Sequence, residues 1–316
     1  MTPGLQHPVP RSVVTAEDGL LLVDKPAGMS SHDVVARVRR MAATKRVGHG
    51  GTLDPMATGL LVLGIGRGTK LLTYLLGHDK AYKATVRLGI STTTDDADGE
   101  VITREGCSEI SPAHLEAALE PLRGEIMQRP ASVSAIKVDG KRAYARVRAG
   151  EQVQLQARPI TISKLQVTNP PHSAKCGDLD VVDFDIEVVC SAGTYVRSIA
   201  RDLGEALGCG AHLTALRRTC SGPFKLASAA SLPGMVRLIE GCSKDANPLP
   251  VLGLTESCRE LFKTVVSERA SDLRFGKRIP PVGVGRFAVE NTDGTVVAVV
   301  ESDERASRPI LVLDPA

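Results

Sequence analysis

The sequence predicts a mixed α/β chain in two parts, a larger α/β body over residues 18–235 and a small β-rich module over residues 255–316. Three observations carry this. Val34, Val35, Val38 and Met41, and again Val196, Ile199, Ala200, Leu203 and Leu207, recur at helical spacing. Tyr82, Ala84, Val86 and Leu88, and later Val182, Phe184, Ile186, Val188 and Cys190, alternate with polar residues, the pattern of half-buried strands. Beyond residue 235 the apolar segments become short and are joined by tight turns. A chain of 316 residues fits two domains at about 150 residues each.

Residues 1–17 hold three prolines and little apolar periodicity, so they read as a flexible tail. Leu20 to Val23 is a short strand ending at Asp24-Lys25-Pro26, and Ser31 is expected to cap the helix that follows. A Gly-rich loop, Gly48 to Pro55, leads into the buried run Leu60 to Ile65 and then a helix from Thr69 to Gly77. Lys83, Thr85 and Arg87 give the strand that begins at Tyr82 a basic outer face. Ser111-Pro112 opens a helix through Leu115, Leu119 and Leu122. Ser191 to Thr194 is a loop before the helical stripe that stops at Gly208. Asn247-Pro248-Leu249-Pro250 marks a linker over residues 236–254. A helix over Ser267 to Phe275 and strands either side of the turn Asp293-Gly294 complete the chain.

Composition narrows the class. Hydrophobic residues make up 42% and charged residues 24%, with mean hydropathy −0.01, so the chain can bury a core. The apolar run Leu60 to Leu63 is far shorter than the ~20 residues a membrane-crossing helix needs, so no membrane association is expected. Seven scattered cysteines, none paired two residues apart, fit neither a disulfide framework nor a structural zinc site and suit a reducing compartment. The net charge of +3 identifies no partner, but Arg37, Arg39, Arg40, Lys45 and Arg46 fall within ten residues free of acid. Such a cluster serves phosphate contacts or a solvated helix face equally well. Nine aromatic residues and no tryptophan argue against a module that stacks many bases on a sheet.

Several motifs bear on chemistry. Thr94-Asp95-Asp96-Ala97-Asp98-Gly99 nearly matches a calcium loop, but Thr94 stands at the first ligand position and a strand precedes it, so it reads as an acidic turn. The glycines at 64, 66 and 68 fit neither phosphate-binding fingerprint, and a tight turn explains them. Asp54 lies in Gly48-His49-Gly50-Gly51-Thr52-Leu53-Asp54-Pro55, where glycines admit close approach and Pro55 fixes the backbone after the carboxylate. That spacing suits a turn aspartate as well as a reactive one. Arg197, in the first turn of a helix, calls for an acidic partner, and Asp54 is the candidate.

Four segments in order resemble the TruB-type tRNA pseudouridine synthases. They are Gly48 to Pro55 with Ala57-Thr58-Gly59, Asp79-Lys80-Ala81-Tyr82-Lys83, Gly193-Thr194-Tyr195-Val196-Arg197-Ser198, and Gly210 to Thr219. Asp24-Lys25-Pro26-x-Gly28-Met29-Ser30-Ser31 and Ser134-Ala135-Ile136-Lys137-Val138-x-Gly140 extend the match across most of residues 20–225. The chain departs from the family pattern at Gly50, where Thr or Ser is usual, and at Val133, where an aromatic is usual.

The resemblance implies a largely antiparallel central sheet flanked by helices, with a PUA-like RNA-binding module at residues 255–316. It implies isomerisation of uridine 55 in the T stem-loop of tRNA, with Asp54 as nucleophile, Tyr82 stacking on the uracil and removing the C5 proton, and Arg197 keeping the carboxylate ionised. His49 would fill the space of the flipped base, Tyr195 and Leu216 would line the pocket, and Lys25 and Lys83 would contact substrate. Arg37, Arg40, Arg46, Arg142 and Arg146 would meet the RNA backbone. No cofactor, metal or obligate protein partner is implied, and the expectation is a cytoplasmic monomer.

Overall fold

The computed structural model describes residues 9–131, 137–138, 141–142, 155–242 and 245–316. It divides into two compact units. The first comprises Met1–Pro55, Gly59–Gly77 and Ser221–Ala316, and the second Met56–Thr58 and His78–Cys220.

In the first unit the strand Gly19–Lys25 runs antiparallel to Thr58–Ile65, with Gly19 opposite Ile65 and Lys25 opposite Gly59. Every residue from Gly59 to Ile65 is buried, so the run is apolar throughout instead of alternating. The short strand Val47–His49 adds to its edge, placing His49 opposite Leu63, and Ala230–Ser231 pairs in parallel with Val23 and Asp24. The helix Ser31–Met41 buries Val34, Val35, Val38 and Met41 as its spacing predicts. Its cap is Ser30, not Ser31. Ser30 accepts from the Asp33 amide while the Asp33 carboxylate receives the Ser30 amide, a reciprocal box that leaves Ser31 free for another task.

The helix expected from Thr69 to Gly77 is instead a 3₁₀ turn, Gly66–Lys70, followed by one α-turn, Leu72–Leu75. Its cause is close packing. A Cβ on Gly68 would lie 2.0 Å from the Gly19 carbonyl oxygen, so the chain must turn tightly there and only glycine fits.

The C-terminal strands Lys263–Val266, Gly285–Glu290, Val296–Ser302 and Ser307–Val312 form a four-stranded sheet in that order. It is covered on both faces. One face packs Val289, Val297 and Val300 against Ala270 and Leu273 of the helix Ala270–Arg274, shorter than the expected Ser267 to Phe275. The other packs Val296, Val299 and Leu311 into one core with Leu20, Leu60, Val62, Leu71 and Leu75.

In the second unit the strand order is Ala211–Ser221, Lys80–Leu88, Leu179–Cys190, Arg158–Cys176, Gly124–Gln128. The last three join Lys80–Leu88 through antiparallel pairings, with Phe184 opposite Val86 and Ile160 opposite Ile126. Helices Pro112–Leu119 and Val196–Leu207 accompany the sheet, and the latter ends at Gly208 in the left-handed conformation, as expected of a C-cap glycine. The result is a mixed α/β fold with predominantly antiparallel sheets.

Candidate active site

In the first unit, two buried polar side chains fix the backbone on either side of Asp54. Ser31, released from capping, accepts from the Leu53 amide at 2.8 Å and donates to the Leu53 carbonyl at 3.1 Å through its Oγ. Lys25 is 0% exposed, and its Nζ donates to the carbonyls of Met29 at 2.6 Å, Pro26 at 3.0 Å and Pro55 at 3.2 Å. The Gly28 amide also reaches the Pro55 carbonyl, at 2.9 Å. Leu53 is buried as the loop's apolar anchor while Asp54 stays half-exposed. A buried ammonium is costly in isolation, and here three carbonyl dipoles solvate it. Lys25 therefore acts beneath the loop, holding its backbone instead of facing solvent.

His49 is half-buried and meets His32 edge-on, ring centroids 5.4 Å apart. The Gly50 amide donates to the Val62 carbonyl at 2.8 Å, and a Cβ at this position would lie 2.9 Å from Leu75 Cδ2 and 3.2 Å from Leu72 Cδ2. The family departure at Gly50 thus coincides with a loop resting closely on those leucines. Arg39 donates to the Val47 carbonyl and Arg40 to the Val9 carbonyl, whereas Lys45 and Arg46 are exposed. Arg37 is half-buried, with an Nε that has no hydrogen-bond acceptor. Arg142 lies on the two-residue strand Lys141–Arg142, and Arg146 and Val133 lie outside the described residues.

In the second unit, Tyr82 is buried opposite Val188, and Lys83 points to the exposed face opposite Glu187. Burial and the nearby Arg218 charge lower the Lys80 ammonium pKa. Gln128 clamps Tyr195 at the start of its helix, receiving its amide at 2.8 Å and donating to its carbonyl at 3.0 Å. Leu216 is buried, and its carbonyl accepts from Thr58 Oγ1.

Arg197 has an acidic partner in the turn that follows Thr93. Its Nη1 lies 3.2 Å from Asp96 Oδ2, both side chains 4% exposed, and donates to the Thr94 carbonyl at 2.7 Å. One turn further along the helix, Arg201 pairs with Asp95 at 3.2 Å, with Asp202 at 2.7 Å and with the Arg129 carbonyl at 2.7 Å. Asp95 holds φ at 59°, a left-handed conformation that a short polar side chain tolerates. Burial pushes its carboxyl up to about 6, outweighing the opposing charges of Arg201 and Arg197. The turn read as merely acidic is the counter-charge to this helix. The signal for it was present: Asp95 and Asp96 adjacent, Arg197 and Arg201 four residues apart on one helical face.

Residues 39–196 match the TruB family pseudouridylate synthase N-terminal domain, residues 197–241 the tRNA pseudouridylate synthase B C-terminal domain, and residues 264–314 the tRNA pseudouridine synthase II C-terminal domain. The chain belongs to the TruB family. Among its relatives, tRNA pseudouridine synthase B of Arthrobacter sp. is 47% identical, covering 94% of this chain and 97% of that one. The enzymes of the same name from Nocardia farcinica and Mycobacterium tuberculosis are 48% and 46% identical, each covering 94% of this chain and 94% and 96% of their own. The chain is thus a tRNA pseudouridine synthase, an isomerase that converts uridine to pseudouridine.

Solved structures agree on the fold. An H/ACA ribonucleoprotein bound to a substrate RNA containing 2′-deoxyuridine aligns with a TM-score of 0.66 at 22% identity, over 94% of this chain and 85% of that one. A Cbf5-Nop10-Gar1 complex gives 0.66 at 24%, over 94% and 84%. Among the described residues of this TruB-family chain, no helix is long and apolar enough to cross a membrane, and no cluster of three or more metal-ligating side chains forms.

Proposed function

We propose that this TruB-family enzyme isomerises uridine 55 in the T loop of tRNA, taking the base out of its stack with Asp54 as the nucleophile. The observation that carries this reading is the double anchoring of the Leu53-Asp54-Pro55 backbone by Ser31 and Lys25 around a half-exposed carboxylate. Uracil is a poor leaving group, and a positioned carboxylate divides one difficult displacement into two easier steps while the detached ring turns and is recaptured at C5.

Arg197 supplies the cation of the reaction, held ready by Asp96 and the Thr94 carbonyl. Tyr82, buried on its strand, stacks on the flipped uracil and takes the C5 proton. His49 occupies the space the base leaves, and Tyr195 and Leu216 line the base pocket. Lys83 contacts the substrate and Lys25 serves it by holding the loop backbone at Pro55, while Arg37, Arg40, Arg46, Arg142 and Arg146 meet phosphates, so binding weakens steeply as salt rises. The module at residues 255–316 adds RNA contacts. The enzyme works as a monomer in the cytoplasm without cofactor or obligate partner.

The test is tritium release from tRNA carrying [5-³H]uridine, beside a transcript with cytidine at position 55, with no metal or cofactor added. Release from the first transcript alone supports the reading. Equal release from both overturns the assignment of position 55, and tight binding without release overturns stand-alone catalysis.

A further inference from the structure

All seven cysteines are free thiols. Cys190 and Cys258 are buried, and the other five are half-exposed. Two of the half-exposed thiols, Cys107 and Cys209, share one small feature of the second unit. Gly89 is the common anchor of the segments that carry them. Its carbonyl accepts from the Gly106 amide at 3.0 Å and its amide donates to the Gly210 carbonyl at 2.9 Å, so Cys107 follows one anchored residue and Cys209 precedes the other. Only glycine serves at position 89. Its φ is 103°, and a Cβ would lie 2.9 Å from the Cys107 amide nitrogen. The neighbouring contacts are equally close. Ser91 Oγ and Thr103 Oγ1 are 2.7 Å apart, and a Cβ on Gly210 would meet both side chains. The Cys107 and Cys209 side chains lie within interaction range of each other, and Cys107 Sγ also points to the Glu109 carbonyl at 3.5 Å.

We propose that Cys107 and Cys209 form a reversible disulfide, a modification site that staples the segment after the strand Val101–Arg104 to the C-terminal end of the helix Val196–Leu207. The oxidant is a low-molecular-weight disulfide. The Cys107 thiolate attacks one of its sulfurs and expels the first small thiolate, leaving a mixed disulfide on Cys107. The Cys209 thiolate then attacks the Cys107 sulfur, forming the protein S–S bond and expelling the second small thiolate. The two protein protons end on the two released thiols, and the small disulfide takes up both electrons. The order follows from environment. Burial, reinforced by the charge of Cys107, pushes the Cys209 thiol up to about 11, so Cys209 is the poorer first nucleophile and acts as the resolving thiol. Both segments are tied through Gly89, and closure cross-links residues about a hundred positions apart, which constrains the unfolded chain strongly.

The test uses the full chain incubated with oxidised glutathione at pH 8, followed by alkylation of remaining thiols and peptide mass mapping. The expected result is a loss of two titratable thiols, a cross-linked peptide containing Cys107 and Cys209, and a thermal midpoint raised by several degrees and returned by dithiothreitol. The variants sharpen the order: C209S stops at a glutathione adduct on Cys107, and C107S gives neither adduct nor cross-link at these positions. Retention of all seven thiols in the unmodified chain, a cross-link only between other cysteines, an adduct on Cys209 in C107S, or a cross-link that leaves the midpoint unmoved would each overturn the proposal. The mapping on the unmodified chain needs no substitution, so it stands even where a serine variant folds poorly.

Discussion

The loop that carries Asp54 and the helix that carries Arg197 are held by opposite kinds of force. Around Asp54 the fixing bonds run from Lys25 and Ser31 to backbone groups, and the one buried charge among them is solvated by carbonyls. Around Arg197 the fixing bonds join ions: Asp96 to Arg197, and Asp95 and Asp202 to Arg201. Backbone-directed bonds set where a loop runs and depend little on pH. Paired ions in a dry pocket set orientation and depend on each partner's protonation and on desolvation. The enzyme therefore fixes the loop that carries Asp54 by geometry and the helix that carries Arg197 by charge balance, and the two should fail differently when broken.

The largest effect is expected at Asp54, the proposed nucleophile. Asp54→Ala should lower turnover by more than about 10⁴-fold, the scale on which loss of a covalent nucleophile is felt, while leaving tRNA affinity near its original value. Filter binding beside tritium release separates the two. Appreciable turnover would remove Asp54 from the role. Next comes the scaffold beneath it. Lys25→Met keeps the stem of the side chain but strands three carbonyls, so stability should fall by about 2–4 kcal/mol. Turnover should fall more than binding, because the loop loses its tie at Pro55. Denaturant unfolding and single-turnover kinetics on the same preparation check this.

Much of this contrast was legible in the sequence on one side and illegible on the other. The Gly-rich loop, Pro55 and the helix stripe after Ser30 announce a fixed carboxylate, because turn residues and apolar spacing act locally. The Ser30 cap was misplaced by one residue for a physical reason: adjacent serines are equivalent as caps until a distant amide, that of Leu53, claims one of them. The strand Arg158–Cys176 was missed because it contains three prolines, shifts register repeatedly against its partner and is largely exposed beyond Leu165, so its alternation is broken. The Asp96–Arg197 pair joins residues about a hundred positions apart: the matching acidic and basic spacings are visible locally, but only the fold brings them together.

Asp96→Asn probes the ionic side with a smaller expected effect. The amide can still accept from Arg197, but the buried guanidinium loses the full negative charge of this partner. Turnover should drop roughly 10- to 100-fold with KM nearly unchanged, the signature of an interaction that matters mainly after binding. A rise in KM with turnover intact would assign Asp96 to substrate binding and break the division between position and charge.

The smallest effect on turnover, and the sharpest on pH, is expected from Asp95→Asn. The carboxyl of Asp95 sits at about 6 in the folded chain against 3.8 when unperturbed, with burial as the dominant cause. The folded state therefore binds more protons than the unfolded state between those values. The contribution of Asp95 to stability is greatest below pH 4, is lost as pH rises from about 4 to about 6, and stays lower above that, by at most about 3 kcal/mol at 1.4 kcal/mol per unit. The asparagine variant carries no charge to desolvate, and Arg201 keeps Asp202 and the Arg129 carbonyl. It should melt higher than the parent at pH 8, match it near pH 4, and show a flatter stability profile between. A variant that melts lower at pH 8 would mean that the Asp95–Arg201 attraction outweighs desolvation, and the region around Arg197 would then be held by net ionic gain instead of by balance.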